Sequence, residues 1–78
     1  MPTVFRHGPY RFFFYSADGV EPPHIHCERD RFEAKFWLEP PRLASSHGFN
    51  AGELSTIISI VADREQFILD FWNDYFGD

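Results

Sequence analysis

Cysteine is nearly missing from this chain of 78 residues: Cys27 stands alone. A single thiol excludes a disulfide framework within the chain and any four-cysteine zinc site. It fits the reducing interior of a cell better than a secreted scaffold. Lysine is equally scarce, with Lys35 the only one, and 7 basic residues face 12 acidic ones for a formal net charge of -5. That balance argues against a protein that coats nucleic acid, because non-specific phosphate binding comes from clustered Lys and Arg, and leaves room only for local basic patches. No apolar run approaches the roughly 20 residues of a membrane span, and Met1-Pro2-Thr3-Val4-Phe5-Arg6 lacks the apolar stretch of a signal peptide. A Gly-rich phosphate loop and a serine in a nucleophile elbow are missing too. These absences predict one soluble, cytoplasmic domain over residues 1–78, with no membrane partner and no cofactor.

What the chain does have is aromatic bulk. Hydrophobic residues make up 44% and aromatics 19%, including ten Phe, which excludes a disordered chain. Each buried ring removes about 150–250 Å² from water, a useful gain for a chain this short. Small domains nonetheless often lean on a partner or a second copy.

The first half reads as strands. Thr3-Val4-Phe5-Arg6 and the aromatic run Tyr10–Tyr15 are β-prone, with His7-Gly8-Pro9 as a turn between them. Ser16-Ala17-Asp18-Gly19-Val20 is a turn with an Asp-Gly step, and Glu21-Pro22-Pro23 is stiff and extended. His24–Glu28 and Phe32–Leu38 both alternate with period 2 around Arg29-Asp30-Arg31. A two-residue loop places His24, His26, Glu28, Glu33, Lys35 and Trp37 on one face. Ile25, Cys27, Phe32, Ala34, Phe36 and Leu38 then form the core side. Arg42–Ser45 is a brief further strand at most. Asn50 is a helix N-cap with Glu53 completing a capping-box pattern, and Leu54, Ile57, Ile58, Val61, Ile68, Phe71, Trp72 and Tyr75 recur at helical spacing. The spacing predicts one helix over 51–76, or two with a break near Ala62-Asp63-Arg64. The fold expected is α+β: an antiparallel sheet of about four strands, within residues 3–45, packed on a long C-terminal helix.

His24 and His26 are the most specific local signal. An i, i+2 pair on a strand points both imidazoles the same way, about 6.5–7 Å apart at Cα. Such a pair can serve as acid and base across a phosphodiester, can offer two ligands to a metal with Glu28 or His47 as a third, or can be ordinary solvent-facing histidines. Lys35 falls beside them and can stabilise charge on a phosphate oxygen, or simply pair with a neighbouring carboxylate. Arg42 is a second cation for phosphate. Trp37 shares the histidine face and can stack on a base, and His47 completes the expected substrate-binding set. The sheet half is relatively basic and the tail acidic, which suits a modest RNA-binding face. Cys27 reads as a small buried hydrophobe.

Glu21-Pro22-Pro23-His24-Ile25-His26 and Glu33-Ala34-Lys35-Phe36-Trp37-Leu38-Glu39-Pro40, with Gly48-Phe49-Asn50-Ala51 and Trp72-Asn73, carry a resemblance. The chain resembles the small bacterial proteins grouped as domain of unknown function 4160. That resemblance implies a toxin of a two-protein toxin–antitoxin pair, whose cognate antitoxin-like small protein is encoded nearby. It implies no catalytic mechanism, so the ribonuclease activity rests on His24, His26 and Lys35 alone. Many relatives have a glycine in the Cys27–Phe32 turn, where this chain has none. The competing expectations are a non-enzymatic interaction module and a small metal-binding domain on His24 and His26. Finally, Phe67 and Phe76 lie off the main helical stripe, a surplus that predicts a homodimer or heterocomplex through the C-terminal helix.

Overall fold

The hairpin predicted around residue 30 forms the middle of the sheet in the computed structural model, which describes residues 2–77. Its strands are β3 (His24–Arg29) and β4 (Phe32–Trp37). They pair His24 with Trp37, His26 with Lys35 and Glu28 with Glu33, so the two-residue loop is Asp30-Arg31. Asp30 takes the left-handed conformation, with φ 58°. Asp tolerates that region better than most residues, which explains how a turn without glycine keeps this register.

Around the hairpin the chain builds β1 (Thr3–His7), β2 (Tyr10–Phe13) and β5 (Arg42–His47), in one antiparallel sheet ordered β1-β2-β3-β4-β5. The sheet therefore has five strands rather than about four. The stretch read as a brief strand at 42–45 runs on to His47 and pairs along β4. Its signal was weak because it is a solvent-exposed edge strand, without the half-buried alternation that marks β3 and β4.

The C-terminal region takes the broken form of the two considered: α1 (Ala51–Asp63) and α2 (Glu65–Phe76). Arg64 leaves helical geometry at φ −111°, ψ 16°, and its guanidinium lies 5.0 Å from the Phe5 ring. Val61 and Ile68, both fully buried, are seven residues apart, about two helical turns. The apolar stripe therefore keeps its phase through the break. Asn50 caps α1 by accepting the Glu53 N–H at 2.8 Å. The Glu53 carboxylate does not return to Asn50 as a full capping box requires. It accepts instead from Arg29 at 2.6 and 2.8 Å and from the Tyr10 hydroxyl at 2.8 Å.

The helices cover one face of the sheet. Phe12, Phe14, Ile25, Cys27 and Phe36 meet Ile57, Val61, Ile68 and Trp72 there, and burial pushes the Cys27 thiol up to about 12, an inert hydrophobe as expected. On the opposite face lies a strap formed by Tyr15, a short 3₁₀ turn (Ser16–Val20) and Glu21–Pro23. The strap and α2 approach closely at Gly19, where a Cβ would sit 2.7 Å from the Phe76 ring. Phe76 is accordingly half-buried, its ring 4.3 Å from that of Trp72, and does not join Phe67 in a surplus patch. No helix among the described residues is long and apolar enough to cross a membrane.

Candidate functional site

Antiparallel pairing lines up the candidate side chains in three rows across β3, β4 and β5: His24–Trp37–Arg42, His26–Lys35–Ser45 and Glu28–Glu33–His47. All project from the strap side, as the alternation predicts. The strap then closes over the first strand of each of the first two rows. His24 is fully buried and His26 only 8% exposed, so neither is a solvent-facing histidine.

The residue that closes them in is Asp18. Its Oδ2 lies 3.2 Å from His24 Nε2 and 3.1 Å from His26 Nε2, and accepts the Tyr15 N–H at 2.8 Å. His24 Nδ1 sits 2.9 Å from the Pro22 carbonyl. A carbonyl only accepts, so Nδ1 carries a hydrogen and Nε2 is the nitrogen aimed at Asp18. His26 Nδ1 points toward Glu33 Oε2 at 3.5 Å. Neither His24 Nε2 nor His26 Nδ1 has a hydrogen-bond partner among the described residues. Burial lowers the pKa of His26, against the opposing pull of the Asp18 carboxylate. Aromatic rings wall the pair: Phe13 stacks on His26 at 5.4 Å, Tyr15 meets it edge-on at 4.6 Å, and Trp37 and Trp72 flank His24 at 5.5 and 5.2 Å. The Tyr15 hydroxyl donates to Glu33 at 3.0 Å, and its pKa is raised by burial and by that carboxylate.

Beside this closed cluster an open cavity of about 440 Å³ lies over β4 and β5, lined by His26, Arg31, Glu33, Ala34, Lys35, Ser45, Ser46 and His47. Lys35 Nζ donates to Glu21 Oε1 at 2.7 Å and lies 4.4 Å from the Trp37 ring centroid. That hydrogen bond holds the Glu21 carboxyl below the usual range. A wider hollow of about 760 Å³ between the β1–β2 turn and α1 contains none of the predicted residues.

Of the six residues singled out by sequence, the cavity thus gathers His26, Lys35 and His47. His24 lies one row away, closed beneath the strap. Trp37 supports Lys35 from the neighbouring row, and Arg42 turns aside to donate to the Pro40 carbonyl at 3.0 Å. Glu28, considered as a third metal ligand, pairs with Arg11 at 3.0 Å. His47, the other candidate ligand, is exposed on β5 and stands outside the Asp18–His24–His26 grouping. Sequence reasoning missed Asp18, Arg31, Ser45 and Ser46. The serines enter through the β4–β5 register. Asp18 had only the Asp-Gly step as a signal, and that marks a turn without saying what the turn folds against.

Residues 10–73 match the family described as domain of unknown function (DUF4160). No curated protein and no solved structure matches the chain. The matched span runs from β2 well into α2 and includes the strap, both buried histidines and every residue lining the cavity. The chain belongs to the DUF4160 family, the one its Pro-Pro-His-Ile-His and Ala-Lys-Phe-Trp elements resemble.

Proposed function

We propose that this protein is the toxin half of a bacterial two-protein toxin–antitoxin module, acting in the cytoplasm on RNA at the β4–β5 cavity. One observation carries the reading: Arg31, Lys35, Ser45, Ser46 and two imidazoles converge on a single open cavity. Phosphodiesters are bound by such a set, with cations meeting the charge and hydroxyls donating to the oxygens. His47 is the exposed imidazole, and His26, only 8% exposed, lines the same cavity. In-line cleavage needs a proton taken from the attacking hydroxyl and one given to the leaving oxygen. His47 is placed to make such a transfer, with Lys35 and Arg31 stabilising the charge that builds on the phosphate. Expression from an inducible promoter tests this directly. Growth arrest that a small neighbouring protein relieves, and that His47→Ala or Lys35→Ala abolishes, is the expected outcome. Arrest that survives both substitutions rules the cavity out.

A second reading is favoured by α2, where Phe67 is 48% and Tyr75 45% exposed. Aromatic rings anchor protein interfaces, and this ridge suits a cognate small protein or a second copy of the chain. Under that reading the protein is a non-enzymatic interaction module. Sedimentation at micromolar concentration separates the cases: a 9.2 kDa species unchanged by concentration excludes the homodimer, and capture of the neighbouring protein that Phe67→Ser weakens supports the heterocomplex.

A further inference from the structure

We propose that Asp18, His24 and His26 bind a divalent first-row transition cation such as Zn²⁺ beneath the strap. The electrostatics of the cluster call for a positive charge at its centre. His24 Nδ1 is committed as a donor to the Pro22 carbonyl, so a neutral His24 turns a bare nitrogen lone pair on the Asp18 carboxylate at 3.2 Å. Lone pair against carboxylate is repulsive, and the site is too buried for water to screen it. His26 brings a second Nε2 to the same oxygen, and one donor atom from each of the three residues lies within 4.8 Å of the others.

These separations are those of ligands around one ion. Bonds of about 2.0–2.1 Å in a tetrahedral site place neighbouring ligand atoms about 3.3 Å apart. The Asp18-to-histidine distances of 3.2 and 3.1 Å already match. The surroundings are also those of a metal site. Ligating histidines usually present their second ring nitrogen to a carbonyl or carboxylate, which fixes the ring and its tautomer. Here the Pro22 carbonyl does so for His24 and Glu33 faces His26. The Tyr15 N–H orients the Asp18 carboxylate, and the aromatic wall formed by Phe13, Trp37 and Trp72 excludes water. Two imidazoles and one carboxylate suit zinc or ferrous iron rather than magnesium or calcium, which prefer oxygen ligands alone. The strap supplies one ligand and the sheet the other two, so the ion would pin the strap to the sheet.

The test uses the full chain, stripped with chelator and titrated with Zn²⁺, and with Co²⁺ for its visible spectrum. The expected result is saturable uptake of one ion per chain, a rise in melting temperature, and visible Co²⁺ bands that saturate with that uptake. Asp18→Asn keeps the shape of the side chain and its bond from Tyr15, and should weaken uptake by more than about tenfold while circular dichroism stays unchanged. His7→Ala and His47→Ala should bind as the parent does. Nuclear magnetic resonance of the unsubstituted chain gives a measurement that needs no variant: Zn²⁺ should shift the His24 and His26 ring signals and leave His7 and His47 in place. Absence of stoichiometric uptake, undiminished binding by Asp18→Asn, or loss of binding in the His7 or His47 variants overturns the proposal. The Asp18–imidazole contacts are then the sole content of the cluster.

Discussion

The two faces of the sheet are covered by unlike means. On one, α1 and α2 press Ile57, Val61, Ile68 and Trp72 onto Phe12, Phe14, Ile25, Cys27 and Phe36. On the other, a strap of irregular backbone holds Asp18 and Tyr15 over Phe13, His24 and His26. Burying carbon is favourable in almost any arrangement, whereas burying a polar atom is unfavourable unless it finds a partner. The helix face uses its area to stabilise the fold. The strap face leaves two ring nitrogens unpartnered, and its neighbouring rows open into the cavity. Apolar packing and buried polar groups are thereby concentrated on opposite sides of one β-sheet, and Trp72 of α2 reaches His24 from the helix side.

The sharpest way to break that comparison is to make the same truncation on both sides. Phe36 and Phe13 are both fully buried, one under the helices and one under the strap. Phe36→Ala should cost about 3–5 kcal/mol, since the helix-covered core collapses poorly around a cavity. A loss of that size is a large part of a small domain's stability. Phe13→Ala should cost less, about 2–3 kcal/mol, because a short strap can settle into the space. Urea denaturation of the two variants decides it. Equal losses would mean that the strap is as rigid as the helices, and that the two faces do not differ in the way described.

How much of this was legible follows the same division. The β3–β4 register could be read because a one-residue slip would have put Ile25, Cys27, Ala34 and Phe36 in solvent. The α1 start could be read from Asn50, whose side chain has a partner only three residues away. The features that sequence leaves open depend on contacts across the chain. The break at Arg64 has no glycine or proline to announce it, and Val61 and Ile68 stay in phase through it. Edge strand β5 lacks a clean alternation, and the pairing shifts between Lys35 and Phe36. Most telling is Asp18. Alternation showed that His24 and His26 share a face with Lys35, but the expected open face became a closed cluster plus a cavity because a turn six residues upstream folded back over it.

The layers are also tied together differently, and acid separates the ties. Glu53 joins α1 to β2 and β3 through Tyr10 and Arg29, and the Arg29 hydrogen bonds hold its carboxyl below the ordinary value of 4.5. The unfolded chain takes up that proton near 4.5, the folded chain only at lower pH. The stability Glu53 contributes is therefore complete above 4.5 and is lost as pH falls through the folded value. Urea midpoints measured from pH 6 to pH 3 should fall in that window, and Glu53→Gln should flatten the fall while lowering the midpoint at pH 6. An identical acid profile in the variant would assign the acid sensitivity to other carboxylates.

Asn50 offers a smaller and purely local effect on the helix side. Its side chain satisfies one backbone N–H at the start of α1, and Asn50→Ala should lower stability by about 1 kcal/mol. Asn50→Ser should recover most of it, because Ser also caps well.

The smallest stability effect is expected at Lys35. Its ammonium bonds to Glu21 on the strap, yet the Glu21 side chain is 45% exposed, and ion pairs in contact with water contribute little. The strap has other anchors in the Asp18–His26 and Tyr15–Glu33 hydrogen bonds and in the Leu38 N–H, which donates to the Pro23 carbonyl. Lys35→Met keeps an aliphatic stem and removes the ammonium with its contacts to Glu21 and the Trp37 ring. Its urea midpoint should match that of the parent within error, while the growth arrest proposed for the parent should disappear. A large drop in midpoint would make Lys35 a structural pin of the strap, and its place in the cavity would then need no functional explanation. An unchanged midpoint with lost toxicity would place the value of that charge in what the cavity binds.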